Sequence, residues 1–393
     1  MKPWKVAAII ERPIPFYVPH YRSLSERSDI DLDVIYLTDA GLKPFDYHGV
    51  RIEYTDEVLH GYNSIVLGRS RPGINKLFRT PRLGFDLWRT LSRNAYDAVW
   101  IHGYNLVGHW IAFIMCVALR LPIMLRGESE LMFERSFAKR VLKKTAFSSL
   151  FPRIAAFLYI GTLNKQFYRF YGVPDSKLFP VPYGIDNSFF SGANEEERRS
   201  WRQEVRARLG ISQDAVVFVN HSKHRLPKRP ADVVRAFGRL EPAPDVALLL
   251  IGDGDQREEV DSACAALGEG HCVIRLGFQT HDELRRILVA SDVLTFASEE
   301  NWGMAVNEAL AAGLAILCSD KVAGAVDMVE EGVNGYLFRS RDEEDLSRRM
   351  YEMIADRALV TNMGTASRVK AREFNFETMN NGIRSALSAI SLR

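Results

Sequence analysis

"DVLTFASEENWGMAVNEALAAGLAILCSD", residues 292–320, decides how the rest of the chain is read. "DVLTFA" and "AILCSD" are apolar runs of strand length. Between them "GMAVNEALAAG" carries apolar residues at helical spacing and stops at Gly313. Strand, helix and strand in that order make a parallel crossover unit. Ala305, Ala309, Leu310 and Leu314 are expected to face the core. Glu300 and Glu308, eight positions apart, sit close to that same surface, whereas a solvated helix scatters its acids on the outer face.

The same alternation extends outward in both directions. Before residue 186 the apolar runs are "KVAAII", "DLDVIYL", "DAVWIH", "LPIML", "AAFLYIG" and "LFPVP". After it they are "AVVFVN", "VALLLIG", "CVIRLG", "DVLTFA" and "AILCSD". Runs with little polar alternation, separated by amphipathic segments, indicate parallel strands covered by helices on both faces. Two such sets predict an α/β protein of two doubly wound domains. The break falls in "PVPYGIDNSFFSGANEEERRS", where Pro180, Pro182 and Gly184 punctuate the chain and an acidic run opens a long helix. The expected division is 1–183, 184–372 and a C-terminal helix at 373–393 that packs back on the first domain.

The chain has 393 residues, 47% hydrophobic and 25% charged, as soluble globular domains do. Its four cysteines (Cys116, Cys264, Cys272, Cys318) are scattered, with neither metal-ligand spacing nor a disulfide pattern, which fits a reducing compartment. The opening "MKPWKVAAIIERP" meets Glu11 and Arg12 before a secretory apolar core is long enough, so no signal peptide is expected. The longest apolar run, "WIAFIMCVAL" at 110–119, is too short to span a bilayer and reads as a buried helix. The net charge of +2 hides an asymmetry: residues 1–186 hold 25 Lys+Arg against 17 Asp+Glu, the remainder 26 against 32. The basic half is expected to meet something anionic, a membrane surface or a phosphate-bearing acceptor. Nucleic acid is not expected, because no aromatic-interleaved basic ribbon is present.

In open parallel sheets ligands bind beyond the carboxyl ends of the strands, so two such domains predict a site in the cleft between their facing ends. Gly303 opens the helix after "EENW", and the first helical N–H groups, that of Met304 included, have no partner within the helix. That terminus suits a diphosphate through orphan donors and macrodipole together. One flanking acid would then reach sugar hydroxyls and the other a ribose diol. The alternative is a capping Glu300 and a helix-face Glu308.

At these residues the chain resembles the retaining nucleotide-sugar glycosyltransferases of the GT-B fold, group 1. "SEENWGMAVNEALAAGLAILCSD" matches that family's signature of a Glu, seven residues and a second Glu, with Gly three after the first. "HSKHRLPKRPADVVRAF" resembles its basic loop, "LLIGDGDQREEV" its Gly-Asp-Gly turn, "VIRLGFQTHDEL" its base-side loop and "KVAGAVDMVEEGVNGYLF" the segment closing its second domain. The resemblance implies two Rossmann-like domains facing each other across a cleft, with a nucleoside diphosphate sugar as donor. It assigns donor contacts to Glu308, Lys223, Lys228, Gly303, Met304, Gly252, Gly254, Phe278 and Gln279. Glu300 and Lys228 are expected to be catalytic, the lysine by stabilising charge on the departing phosphate. For Gly252 and Gly254 a purely structural turn is the alternative.

The first domain matches less closely. After its first strand the family often has a Gly-Gly loop, and this chain has "ERPIPFYVPHYRSL". After "PIML", where many members carry a His, it reads "RGES", placing Glu128 there with Arg126 two residues before. Glu128 is expected to orient a sugar hydroxyl or take the acceptor's proton, with Arg126 holding it or a phosphate; a structural Arg–Glu pair is the alternative. His102, ending the strand of "WIHGYN", is a further catalytic candidate. Gly184 and Asp186 would shape the crossover between domains. "ERSFAKRVLKKTAFSSLFPR", 134–153, interleaves Phe137, Val141, Leu142, Phe147, Leu150 and Phe151 with Arg135, Lys139, Arg140, Lys143, Lys144 and Arg153. It is a candidate for peripheral contact with an anionic membrane face, against an ordinary helix with a basic solvated side.

The expected activity is transfer of a sugar with retention, to a glycan or lipid-linked saccharide acceptor of cell-surface polysaccharide synthesis. No cofactor or metal is expected, and the location is cytoplasmic, at the inner membrane face if the acceptor is lipid-linked. A nucleotide-sugar epimerase of the same fold and a non-catalytic nucleotide-sugar-binding protein are the rivals. A nicotinamide dehydrogenase is disfavoured, since no G-x-G-x-x-G turn follows the first strand.

Overall fold

The computed structural model describes residues 2–40, 42, 45–47, 50–52, 56–68, 80–132 and 137–392. It divides into two compact units, Met1–Gly184 with Phe376–Arg393, and Ile185–Asn375. The strands of the first unit are β1 (Trp4–Ile10), β2 (Ile30–Tyr36), β3 (Phe45–Tyr47), β4 (Val50–Ile52), β5 (Asn63–Val66), β6 (Ala98–His102), β7 (Ile123–Arg126), β8 (Ala156–Tyr159) and β9 (Leu178–Pro180). Seven of them form one sheet in the order β5-β2-β1-β6-β7-β8-β9, parallel throughout. β3 and β4 pair antiparallel apart from it. The chain winds outward from β1 through β2, returns beside β1 as β6, and proceeds the other way. The direction therefore reverses between β1 and β6, where a doubly wound sheet opens a crevice at its carboxyl edge.

The second unit holds β10 (Val216–His221), β11 (Val246–Ile251), β12 (Cys272–Gly277), β13 (Val293–Phe296), β14 (Ala315–Ser319) and β15 (Gly335–Phe338). Its sheet runs β12-β11-β10-β13-β14-β15, again all parallel, and reverses between β10 and β13. β11, "VALLLI", is buried at every position, as a strand covered on both faces must be. Across the reversal Asn220 Nδ2 donates to the Thr295 carbonyl at 2.7 Å, satisfying a buried amide.

The acidic run after the crossover forms a helix, Glu195–Leu209, with three glutamates in its first turn. Asn194 caps it by accepting from Glu197 N–H, while Glu197 accepts from Ala193 N–H. This reciprocal pair satisfies donors that the helix itself leaves open. The C-terminal helix Phe376–Ser391 packs on β8, β9 and the helix Val18–Ser25 within the first unit. Trp4 Nε1 donates to Ser391 Oγ at 3.1 Å there.

All eleven expected apolar runs lie on strands of the two sheets. β5, β15 and the β3/β4 pair are additional to these runs. The run at 110–119 requires a correction. It does form a helix, Val107–Ala118, but only His109, Ala112, Phe113 and Cys116 are buried. Val107 is 65% exposed and Ile114 60%. A run that is apolar at every position conceals which positions face the sheet, and only one helical stripe can do so.

Candidate functional site

In the second unit, the loops after β12, β11, β10 and β13 all leave the same carboxyl edge of the sheet, and the candidate donor residues lie on them. The β10 loop and the β13 loop are tied together by backbone: Glu299 N–H donates to Pro227 O at 2.7 Å. This brings Lys228 Nζ into direct contact with Glu300 Oε2, both side chains about three-quarters buried. The ammonium also lies 5.5 Å from the centroid of the Phe296 ring. Glu300's own backbone is clamped, donating to Lys321 O at 3.1 Å and accepting from Ala323 N–H at 2.9 Å. Its other carboxylate oxygen, Oε1, is buried with no hydrogen-bond partner among the described residues. A buried half-satisfied carboxylate is costly unless a further donor reaches it, and sugar hydroxyls are such donors.

Gly303 precedes the helix Met304–Ala312 with φ +105°. A Cβ there would lie 2.9 Å from Val322 Cγ1, so both conformation and space demand glycine. No side chain caps this helix and its first turn contains no acid, which leaves the terminus suited to an anion. Ala305, Ala309, Leu310 and Leu314 are buried as expected. Glu308 reaches back to β10, its Oε2 3.1 Å from His221 Nδ1, yet the pair is not aligned as a hydrogen bond. His221 was not singled out in the sequence. Its position, last on β10 and directly ahead of the basic loop, was the available signal.

Lys223 is exposed on that loop. Gly252 carries φ +123°, and a Cβ on it would lie 1.8 Å from Ser222 O. The glycine thus lets the β11 loop lie against the β10 loop, where His224 N–H donates to Asp253 O at 3.0 Å and Gln256 N–H to His224 O at 2.8 Å. A Cβ at Gly254 would likewise meet His224 O, at 2.4 Å. These two residues shape the loop that carries Lys223. Phe278 is 41% exposed after β12, and Gln279 Nε2 donates to Leu276 O at 2.5 Å. Beside the cluster, Arg341 engages Glu299 through two bonds of 2.7 and 3.0 Å and holds its carboxyl below the usual range.

In the first unit the candidates gather beyond β1, β6 and β7. Arg126 is 2% exposed; its Nη1 donates to Val181 O at 2.7 Å and its guanidinium lies 4.5 Å from the Tyr183 ring centroid. Nε and Nη2 are buried without partners, and burial lowers the guanidinium's pKa. Glu128 accepts from the Tyr183 hydroxyl, with the Tyr17 hydroxyl 2.8 Å from that of Tyr183 and 3.4 Å from the same carboxylate oxygen. The expected Arg126–Glu128 ion pair is absent among the described residues: each engages other partners. Protein crowded beneath Glu128 raises its pKa and Arg126 opposes the rise. The residue nonetheless has exposed surface, which screens the effect. His102 stacks on Trp100 at 4.2 Å and shares a 3.1 Å hydrogen bond with the Tyr21 hydroxyl. Burial, with Arg126 adding to it, drives its pKa well below the ordinary value and keeps it neutral. Tyr17 and Tyr183, the partners of Glu128, stood in quoted loops without being named as candidates.

At the crossover, Gly184 N–H points to Met379 Sδ at 3.2 Å and Asp186 caps the helix Asn187–Ser191 by accepting from Phe189 N–H at 3.1 Å. Of the basic segment 134–153, Arg135 lies outside the described residues, as do the side chains of Phe137, Lys139, Arg140, Val141 and Leu142. Phe147, Leu150 and Phe151 are core residues, Lys143 is half-buried, and Lys144 and Arg153 are exposed. No cluster of three or more His, Cys, Asp or Glu arranged for a metal occurs among the described residues.

Residues 202–370, which carry the whole cluster around Glu300, match the family described as "Glycosyl transferases group 1". N-acetyl-alpha-D-glucosaminyl L-malate synthase of Bacillus anthracis is 29% identical over 171 residues, 43% of this chain and 44% of that protein. The lipopolysaccharide core biosynthesis glycosyltransferase LpsE of Rhizobium meliloti is 30% identical over 159 residues, 40% and 45%. The chain thus matches less than half the length of these curated relatives. Among solved structures, Anabaena HepE in complex with UDP superposes with TM-score 0.77 at 18% identity, covering 98% of this chain and 100% of the other. The fold is GT-B, two Rossmann-like α/β domains.

Proposed function

We propose that the protein is a retaining glycosyltransferase that moves a sugar from a nucleoside diphosphate sugar to a saccharide or lipid-linked saccharide of a cell-surface polysaccharide. The observation that carries this reading is the cluster at the β10/β13 reversal. There Lys228, Glu300, the uncapped helix at Gly303 and Glu308 stand together on loops held by backbone hydrogen bonds. The diphosphate lies on the helix terminus, with Met304 N–H among its donors and Lys228 and Lys223 as counter-charges. Glu308 takes the ribose hydroxyls and Glu300 the sugar's, completing the carboxylate whose Oε1 lacks a partner. Gly252 and Gly254 hold the Lys223 loop in place, and Phe278 and Gln279 border the base.

In the transfer the bond from anomeric carbon to diphosphate oxygen breaks and the acceptor oxygen bonds to that carbon on the same face. The acceptor's proton passes to the departing phosphate. Lys228 stabilises the charge that develops there, so no metal is required. Glu128, held by two tyrosine hydroxyls, orients the acceptor hydroxyl, while Arg126 and neutral His102 fix its surroundings. A lipid-linked acceptor places the reaction at the cytoplasmic face of a membrane.

HepE and LpsE support a nucleotide-sugar donor and a cell-surface product only by what their names state of themselves. The test is incubation of labelled nucleotide sugars with acceptor fractions, in buffer containing a chelator, after thermal-shift screening has chosen the donor. Transfer of label with unchanged anomeric configuration is expected. Donor alone yielding an isomeric sugar nucleotide would mark an epimerase, and binding with neither transfer nor hydrolysis a binding protein.

A further inference from the structure

The helix Val107–Ala118 contains no charged residue apart from any charge on His109, which burial holds neutral with a pKa of about 4. Its exposed positions, Val107, Trp110, Ile114 and Val117, recur every three or four residues and form one apolar stripe. The helix Thr80–Arg93 packs beside it: a Cβ at Gly84 would lie 3.8 Å from Ile111 Cγ2, and one at Gly108 3.8 Å from Leu83 Cδ2. That neighbour presents Phe85, 65% exposed, and Trp88, 40% exposed, on its outer side. Six large apolar side chains are thus exposed on two neighbouring helices of the first unit. An apolar solvent face of this kind is unfavourable unless something covers it.

The charges on and beside these helices indicate what does. Arg82, Arg89, Arg93 and Arg120 are exposed on the two helices and just past the end of the second. Asp86 engages Arg82 at 3.7 Å, and the other three make no ion pair among the described residues. Tryptophans at the edge of an apolar face, ringed by arginines, match the boundary between lipid headgroups and acyl chains. Neither helix is long and apolar enough to cross a membrane. We propose that this face docks the chain on an anionic lipid bilayer, Trp110, Ile114 and Phe85 entering the interface and Arg89, Arg93 and Arg120 meeting phosphate headgroups. The surface is distinct from the 134–153 segment, whose described apolar residues belong to the core. It also stands independently of the glycosyl-transfer reading, because lipid binding needs neither donor nor acceptor.

The test is co-sedimentation of the full chain with vesicles of phosphatidylcholine alone and of phosphatidylcholine mixed with phosphatidylglycerol. Binding to the mixed vesicles, weakened by added salt, is expected. Trp110→Ser combined with Ile114→Ser should weaken it about tenfold or more with an unchanged thermal unfolding curve. Arg89→Glu with Arg93→Glu should remove only the preference for anionic vesicles. No binding by the unaltered chain, or equal binding by the Trp110/Ile114 variant, overturns the proposal. So does a dimer in sedimentation velocity that the same variant dissolves, which would assign the face to a second copy.

Discussion

The carboxyl edges of the two sheets share a topology and differ in chemistry. In the second unit the edge is built from the ion pair of Lys228 with Glu300 and from Glu308 beside the His221 ring, all with some solvent access. In the first unit it is built from hydroxyls, neutral imidazoles, a guanidinium with no ion pair among the described residues and the Glu128 carboxylate, most of them buried. Partly solvated pairs can exchange partners when a charged ligand arrives, because water screens the intermediate arrangement. A buried hydroxyl network cannot rearrange so cheaply and instead holds one geometry. This contrast agrees with the proposed function, in which the second edge grips and releases the diphosphate and the first positions a neutral hydroxyl.

Removing a charge from the exposed edge should cost most. Lys228→Ala is expected to lower the transfer rate by ~100- to 1,000-fold, the scale of losing one group that stabilises developing charge. A loss of only a few-fold in kcat would erase the distinction between the edges. The buried edge should reveal itself in acid. His20, on the helix Val18–Ser25 with its ring 5.9 Å from that of Trp100 and 3.1 Å from Asn380 Oδ1, has its pKa depressed to about 3 by burial, so between that value and 6.5 the unfolded chain binds a proton that the folded chain does not. Stability then falls as pH drops through that window, by about 1.4 kcal/mol per pH unit. Two pH units change the unfolding equilibrium about a hundredfold through His20 alone, and His20→Gln should remove that share of the slope while His102 and His109 keep theirs. Urea unfolding at several pH values checks it.

Glu128→Gln should reduce transfer by roughly 10- to 100-fold with donor affinity unchanged; calorimetry showing equal loss of both would place Glu128 on the donor instead. Glu308→Ala should do the reverse, weakening nucleotide-sugar binding about tenfold with little change in fold, if its side chain is the acceptor for ligand hydroxyls that the proposed function requires. The smallest effect is expected from Arg126→Met. Arg126 lowers the Glu128 pKa, so removing it should move the acid limb of the rate profile upward. A downward shift would show that Arg126 does not act on Glu128 electrostatically.

The second unit was far more legible than the first. Glu300, Gly303, Glu308 and Lys228 stand at fixed short spacings on one strand–loop–helix unit and one basic loop, and their placement follows from local geometry. His221 escaped notice because its meaning depends on Glu308, 87 positions later, curling back over β10. In the first unit almost nothing is local. Glu128 meets Tyr17 and Tyr183, separated from it by 111 and 55 residues, and no spacing rule links the three. Its best-defined apolar segment misled for a different reason: composition reported the hydrophobicity of residues 110–119 but carried no information about which side would be covered.

From the amino acids alone came the alternation of strands and helices, the two doubly wound sheets and the gathering of Lys228, Glu300 and Gly303 on the loops at the β10/β13 reversal. Each is written in periodicity or in residues a few positions apart, where backbone geometry leaves few options. Which hydroxyl holds Glu128, which imidazole faces Glu308, and which stripe of the helix Val107–Ala118 is left to solvent were decided by packing. Such contacts join residues that only the folded chain brings together, and their energies depend on burial that no single segment specifies.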